Sequence, residues 1–303
     1  MVFTCTIKET AGESTVTAPS VTLRNGVEMP LIGYGVYQIA KEDAARCVAD
    51  AIEVGYRHID TAQSYYNEKE VGDGIKASGA DRADLFVTTK VWVEHYGYEE
   101  TLRSVDESLR KLGTGYIDLL LLHQPFSDVY GSWRALEKLY RDGVVRAIGV
   151  SNFYPDRLAD LCAFNEIAPM VDQVETNPFH QQIAAHENMT ARGVVHEAWA
   201  PFGEGRNGMF VNETLAAIGA KHGKSVAQVI MRWLVQRGVV ALAKSTHRER
   251  MIENLDVFDF ALTDADMAAI AGLDDDTSLF FDHRTPETVD FMARLIKERA
   301  GRE

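Results

Sequence analysis

The sequence predicts an α/β protein folded as a closed (β/α)8 barrel, the TIM-barrel architecture, and three observations predict it. Eight short apolar segments alternate with amphipathic stretches along one uninterrupted length of chain, the rhythm of repeated strand–helix units. One segment, YIDLLLLH, holds four consecutive leucines, and a continuous apolar strand is buried on both faces, as in a parallel sheet sheathed by helices. The competing open doubly wound sheet would carry G-x-G-x-x-G after its first strand; IGYGVY has the G-x-G but lacks the third glycine.

Taken in order, residues 1–20 are polar and rich in Thr and Ser and read as a loose tail. VTLRNGVEMP then sets Asn25-Gly26 between two short runs, the chemistry of a tight β-hairpin. The barrel spans 21–275, with strands at IGYGVY, YRHIDT, LFVTTKVW, YIDLLLLH, VRAIGVSN, MVDQVET, VVHEAWA and VVALAKS. Helices lie between them, among them KEDAARCVADAIEVG and GYEETLRSVDESLRKLG. In the second, Leu102, Val105, Leu109 and Leu112 recur at helical spacing and Gly113 suits a C-terminal cap. Residues 276–303 form a C-terminal segment over or beside the barrel. Its Phe280 and Phe281 either cover the mouth and touch substrate or pack outside, and the sequence leaves both open.

Composition narrows the function. The chain has 303 residues, 46% hydrophobic and 25% charged, which suits an ordinary globular domain. A formal net charge of −14 with no long basic block disfavours nucleic acid and anionic membrane surfaces as partners. Cys5, Cys47 and Cys162 form no CxxC motif and no Cys/His cluster, so neither a disulfide framework nor structural zinc is expected. The first residues lack the apolar run of a signal peptide, and no stretch approaches the roughly 20 apolar residues of a membrane span. The expectation is a cytoplasmic protein.

Chemistry in such a barrel gathers where strands end at their C-terminal side. Those positions carry Asp60, with Tyr65 in the loop after it, then Lys90 in TTK and His123 in LLLLHQP. Singly, each has an ordinary structural role: a cap, a packed ring, a solvated ammonium, a core imidazole. Together, at the ends of three neighbouring strands, they suit one small site. Asp60 and Lys90 would form an ion pair, since an unpaired buried carboxylate costs several kcal/mol. Lys90 at about 4 Å from the Tyr65 hydroxyl, with an effective dielectric of about 20, would attract a phenolate by about 4 kcal/mol. That predicts a phenol brought from about 10 down towards neutrality. Such a phenol can protonate a carbonyl oxygen that His123 orients, which suits carbonyl reduction by hydride transfer. No His-x-His pair closes the first strand, so a metal is not expected.

With these residues assembled, the chain resembles the aldo-keto reductase family from the hairpin to about Asp275, and is closest in pattern to bacterial 2,5-diketo-D-gluconate reductase-like members. GYRHIDTAQSYYNE is similar to the signature around that family's catalytic Asp and Tyr, and the D-T-A-x-x-Y spacing selects Tyr65 over Tyr66. LFVTTKVW and DLLLLHQP match the segments with the catalytic Lys and His. The resemblance implies NADPH as cofactor, with pro-R hydride transfer to a small carbonyl substrate, and a monomer. It places Ser151, Asn152 and Gln173 on the nicotinamide carboxamide and Trp199 against the ring, where the family commonly has Tyr. It also places Gly35, Val36, Phe202 and Gly203 at the cofactor.

AKSTHRERMIENLDVFDF looks like the family's clamp on the adenosine phosphate. Lys244, Ser245, Thr246 and Arg250 would hold the phosphate, Glu253 and Asn254 would face the adenine, and Arg248 would lie on the surface. Arg and Lys at that spot suit a 2′-phosphate, since the guanidinium offers a planar fork of donors. Gln124 stands where Trp is common, and Ala243-Lys244 where Pro-Lys is common. The connection after His123 is short, so an open pocket for small polar carbonyls is expected, walled by Tyr37, Trp92 and Phe126. A cofactor-sensing binding protein on the same fold is the alternative, weakened by the complete Asp60–Tyr65–Lys90–His123 set.

Overall fold

The computed structural model describes residues 18–300. Of the expected loose tail, residues 1–17 lie outside the described residues, and Ser20 already belongs to a strand. The strands are β1 (Ser20–Thr22), β2 (Glu28–Pro30), β3 (Ile32–Gly35), β4 (His58–Asp60), β5 (Phe86–Val91), β6 (Ile117–Leu122), β7 (Val145–Ser151), β8 (Val171–Glu175), β9 (Val195–Trp199) and β10 (Val240–Ala243). The helices are α1 (Lys41–Glu53), α2 (Glu68–Ser78), α3 (Tyr98–Leu112), α4 (Val129–Arg141), α5 (Pro155–Phe164), α6 (Ile183–Ala191), α7 (Glu213–His222), α8 (Val226–Gln236), α9 (Arg248–Leu255), α10 (Asp264–Ala271) and α11 (Pro286–Ala300).

Strands β3 to β10 close into a parallel barrel, β10 pairing with both β9 and β3. Each of the eight apolar segments supplies one of its strands. The leucine run behaves as its composition demands: all six residues of β6 are buried, inward and outward alike. At roughly 1.5–3 kcal/mol per buried large aliphatic side chain, that strand alone anchors one side of the wall. In α3, Val105 and Leu112 are buried and Leu102 and Leu109 pack against the core. Gly113 then ends the helix at φ +63°, a left-handed turn whose amide returns to the Leu109 carbonyl.

The β1–β2 hairpin turns at Asn25-Gly26 and leads straight into β3, so it lies at the N-terminal end of the barrel. Leu23 and Met29 are buried there, and Arg24 and Asn25 bond the carbonyls of Arg192 and Arg146. The opposite end carries the candidate site.

The C-terminal segment lies over that opposite end. Glu175, the last residue of β8, accepts hydrogen bonds from the Ser278 hydroxyl at 2.5 Å and the Leu279 amide at 2.9 Å. The Phe280 ring meets Trp199 edge-on with centroids 5.1 Å apart, and the Arg206 guanidinium lies over it, 4.1 Å from its centroid. Of the two placements left open by the sequence, the described residues take the one over the mouth.

Candidate active site

The four strand-end residues converge. Lys90 is buried on β5, and its Nζ donates to Asp60 Oδ1 at 2.5 Å and to the Thr61 carbonyl at 2.9 Å. The Tyr65 hydroxyl lies 3.4 Å from the same Nζ. His123, just beyond β6, meets the Tyr65 ring edge-on at 5.7 Å. Asp60 stands in register with Gly35 on one side and Thr88 on the other, so sheet pairing alone fixes its depth.

The loop after Asp60 is pinned residue by residue, which fixes where the Tyr65 hydroxyl lies. Thr61 donates to Asn67, and Asn67 in turn donates to the Val36 carbonyl. Gln63 accepts from the Trp92 amide and donates to Ser108. Ser64 Oγ lies 3.3 Å from His123 Nδ1, leaving Nε2 as the imidazole's other polar atom. Tyr65 closes a single 3₁₀ turn, and Tyr66 follows in the left-handed region at φ 57° with its ring exposed. Of the two tyrosines, it is Tyr65 whose hydroxyl lies beside Lys90.

Electrostatics correct one expectation. Tyr65 is not drawn towards neutrality; burial pushes its hydroxyl up to about 12, with Lys90 pulling down and Asp60 opposing that pull. The attraction of the ammonium is outweighed by the lost hydration of a phenolate, and the Asp60 carboxylate offsets part of the ammonium's field. Burial also opposes charge on Lys90, yet Asp60 and the Tyr65 hydroxyl hold it above the ordinary lysine value. At 2.5 Å the geometry is that of an ion pair, with Lys90 cationic.

Around this core the residues expected at the nicotinamide are already bonded to one another. Asn152, at φ 66°, donates through Nδ2 to the His123 carbonyl and to Ser151 Oγ, and accepts from Trp199 Nε1 at 2.9 Å. Ser151 donates to the Gln173 carbonyl. Gln173 Nε2 donates inward, to Asp60 Oδ2 at 3.0 Å and Glu197 Oε2 at 2.9 Å. Trp199 is half-buried, the condition of a ring available for stacking. Nothing lies within 4 Å of where a Gly35 Cβ would stand, so the strand end beside buried Val36 opens on free space. Phe202 packs on Phe210, and Gly203, at φ 53°, faces Leu279 of the C-terminal segment.

The expected phosphate clamp follows β10. Lys244 and Arg250 are exposed and make no hydrogen bond or ion pair among the described residues. Arg248 is neutralised instead, by Glu53 at 3.0 Å and Asp50 at 3.8 Å, which matches its expected surface role. Ser245 is buried with its hydroxyl against the His247 backbone, while Thr246 and Glu253 are half-buried. Asn254 is buried beneath them. Two unneutralised cations at a strand end and the first turn of α9, in a chain of net charge −14, form a donor set that fits a phosphate.

Of the three expected substrate walls, two join the site directly. Tyr37 is 53% exposed and leans on the Tyr65 ring at 4.9 Å, and Trp92 meets His123 edge-on at 5.2 Å. Phe126 instead stacks on His283 of the C-terminal segment at 6.0 Å, so it frames the rim together with that segment. Sequence reasoning missed Ser64, Glu175 and above all Glu197, a fully buried acid beside the ion pair. The signal for Glu197 was present: a charged residue in the middle of VVHEAWA, where an apolar strand gives no reason for one.

Comparison with known proteins points the same way. Residues 31–275 match the aldo/keto reductase family. The chain is similar to morphine 6-dehydrogenase of Pseudomonas putida, 45% identical over 288 residues, covering 90% of this chain and 97% of that one. It is 49% identical over 259 residues to glyoxal reductase of Bacillus subtilis (strain 168), covering 85% of this chain and 93% of that one. A Bombyx mori aldo-keto reductase solved in complex with NADP superposes with a TM-score of 0.84 at 34% identity, covering 88% of this chain and 96% of that one.

Proposed function

This chain belongs to the aldo/keto reductase family and is an oxidoreductase, and on that premise we propose that it reduces small polar aldehydes and ketones with NADPH, Tyr65 being the proton donor. The observation that carries the reading is the contact of the Tyr65 hydroxyl with the ammonium of Lys90, 3.4 Å away and itself fixed by Asp60. When bound, the reduced nicotinamide supplies the hydride. Everything else is work for this chain's own groups.

With its hydroxyl pushed up to about 12, Tyr65 stays protonated through the physiological range, and a proton donor must be in that form. As negative charge develops on the carbonyl oxygen, Tyr65 transfers its proton there, and the phenolate left behind faces Lys90. The ammonium thus acts on the transition state rather than by making the resting phenol acidic, which is preorganised electrostatic stabilisation. His123, with Ser64 Oγ 3.3 Å from its Nδ1, would donate from Nε2 to the same oxygen and fix its direction. Ser151, Asn152 and Gln173 would hold the carboxamide and Trp199 the ring face. Lys244, Ser245, Thr246 and Arg250 would hold the 2′-phosphate, and Glu253 and Asn254 the adenine. Relatives named for glyoxal and for morphine differ widely in substrate size, and the exposed Tyr37 at this mouth suits an open pocket.

The test is steady-state oxidation of NADPH, and separately NADH, over a panel of simple aldehydes, dicarbonyls and sugar-derived ketones. Carbonyl-dependent turnover with a marked preference for NADPH is expected. Tight NADPH binding without turnover on any carbonyl would contradict the reading and favour a sensor.

A further inference from the structure

Glu197 is a fully buried acid of the barrel whose purpose the proposed reaction leaves unexplained. It sits on β9 in register with Gln173 of β8, is fully buried, and gives one oxygen, Oε2, to the Gln173 amide at 2.9 Å. The other hydrogen on that amide nitrogen goes to Asp60 Oδ2 at 3.0 Å. Two carboxyl groups therefore spend both hydrogens of one amide and lock its orientation. Glu197 Oε1 is buried without a hydrogen-bond partner among the described residues, and His58 Nε2 lies 3.7 Å from it.

The charges facing Glu197 are few and can be counted. Lys90 from β5 is the cation, Asp60 from β4 is the anion that pairs with it, and Tyr65 is a neutral phenol beyond them. His58 from β4 is fully buried, 3.0 Å from Thr88 Oγ1, and burial drives its imidazole neutral. One positive and one negative charge balance without Glu197. Ionising it would add a second, unpaired negative charge in a desolvated core, the arrangement that carries the steepest penalty. His58, Asp60 and Glu197 bring ligand-type atoms within 4.8 Å of one another, but the ammonium of Lys90 already occupies Asp60, so a divalent cation there would face a like charge.

We propose that Glu197 is a positioning residue of this site, working as the neutral acid, which fixes the Gln173 amide between itself and Asp60 and leaves the Lys90–Asp60 pair electrically balanced behind Tyr65. The proposal rests on the carbonyl-reduction reading. Burial, with Asp60 adding to it, raises the Glu197 carboxyl to about 8, so the balance fails from there upward. Above that point a second carboxylate weakens the positive potential that Lys90 offers the Tyr65 phenolate. Turnover with saturating NADPH and carbonyl should then fall by about tenfold, as for one extra charge in a partly screened interior.

The experiment compares wild type with Glu197→Gln, which keeps the shape and the oxygen that Gln173 needs but cannot ionise. With each protein scaled to its own kcat at about pH 6.5, an alkaline decline near pH 8 is expected in the wild type and none in the variant. Infrared spectroscopy of the NADPH complex supplies a readout independent of turnover. A protonated-carboxyl carbonyl band should be present at about pH 6, lost by about pH 10, and missing from the variant. Should the variant fail to fold, the same titration on ¹³C-glutamate-labelled wild type and Glu68→Gln separates Glu197 from the buried aspartates and from Glu68, whose carboxyl burial also raises. An identical alkaline limb in both proteins, or no glutamic-acid band that titrates, would overturn the proposal. If neither protein turns over any carbonyl, the reduction reading fails, and the infrared titration alone decides the charge state of Glu197.

Discussion

At the floor of the barrel mouth the ion pair and its polar neighbours are buried and bonded: Lys90 to Asp60 at 2.5 Å, Asp60 to Gln173 at 3.0 Å, Gln173 to Glu197 at 2.9 Å. At the rim, Lys244 and Arg250 stand exposed with no hydrogen bond or ion pair among the described residues. Folding has to finish the floor, because a charge stranded there has no water to fall back on. The rim can wait for its anion, since exposed cations remain hydrated until one arrives. The two regions should accordingly answer mutation in opposite ways, the floor through stability and rate together, the rim through affinity alone.

The sharpest way to break that comparison is Lys90→Met. Losing the ammonium leaves Asp60 buried without its partner, so unfolding free energy by urea denaturation should drop by about 3–5 kcal/mol and carbonyl reduction should collapse. A loss below about 1 kcal/mol would mean that the floor is wetter than described.

Comparable in size is a pH effect. Glu197 has its folded value raised from 4.5 to about 8, so the folded state holds an extra proton between those values. Its contribution is complete below about 4.5 and is lost as pH rises through about 8, at up to about 1.4 kcal/mol per pH unit. Across that window wild-type stability should fall relative to Glu197→Gln and run parallel to it above. Urea titrations at several pH values check the sign.

At the rim, Lys244→Ala and Arg250→Ala should each weaken NADPH binding by about 10–100-fold, the worth of a charge-assisted phosphate contact. Binding of NADH should barely change, and stability should stay within about 0.5 kcal/mol. Equal losses for both dinucleotides, measured by fluorescence titration, would remove the phosphate from the account.

The smallest effect concerns the strap over the mouth. Ser278→Ala deletes its 2.5 Å bond to Glu175, so global stability should change by about 1 kcal/mol or less. Amide hydrogen exchange at Leu279–Phe281 should nevertheless quicken, because the segment is tied to the mouth there.

Much of this was legible in the sequence, for identifiable reasons. The four leucines of β6 and the alternation of segments carry their own burial, so the barrel followed from pattern. Asp60, Tyr65, Lys90 and His123 sit at strand ends, where position along the chain already implies position in space. Glu197 was not legible as a partner of Asp60, because the link runs through Gln173, 113 residues beyond Asp60, and exists only once the barrel closes. The placement of Phe280 depended on Glu175 holding Ser278, a contact across 103 residues. Tyr65 went astray for a different reason: the charge on Lys90 can be read from one letter, but the desolvation that outweighs it is a property of the folded interior.

What unites floor and rim is the claim that the Lys90-facing hydroxyl delivers a proton to a carbonyl oxygen. Tyr65→Phe removes that one atom and tests it directly, with kcat/KM for a good aldehyde and the dissociation constant for NADPH measured side by side. The account predicts a fall in kcat/KM of about 10²–10⁴-fold with NADPH affinity held within about twofold. Turnover near the wild-type rate would contradict it.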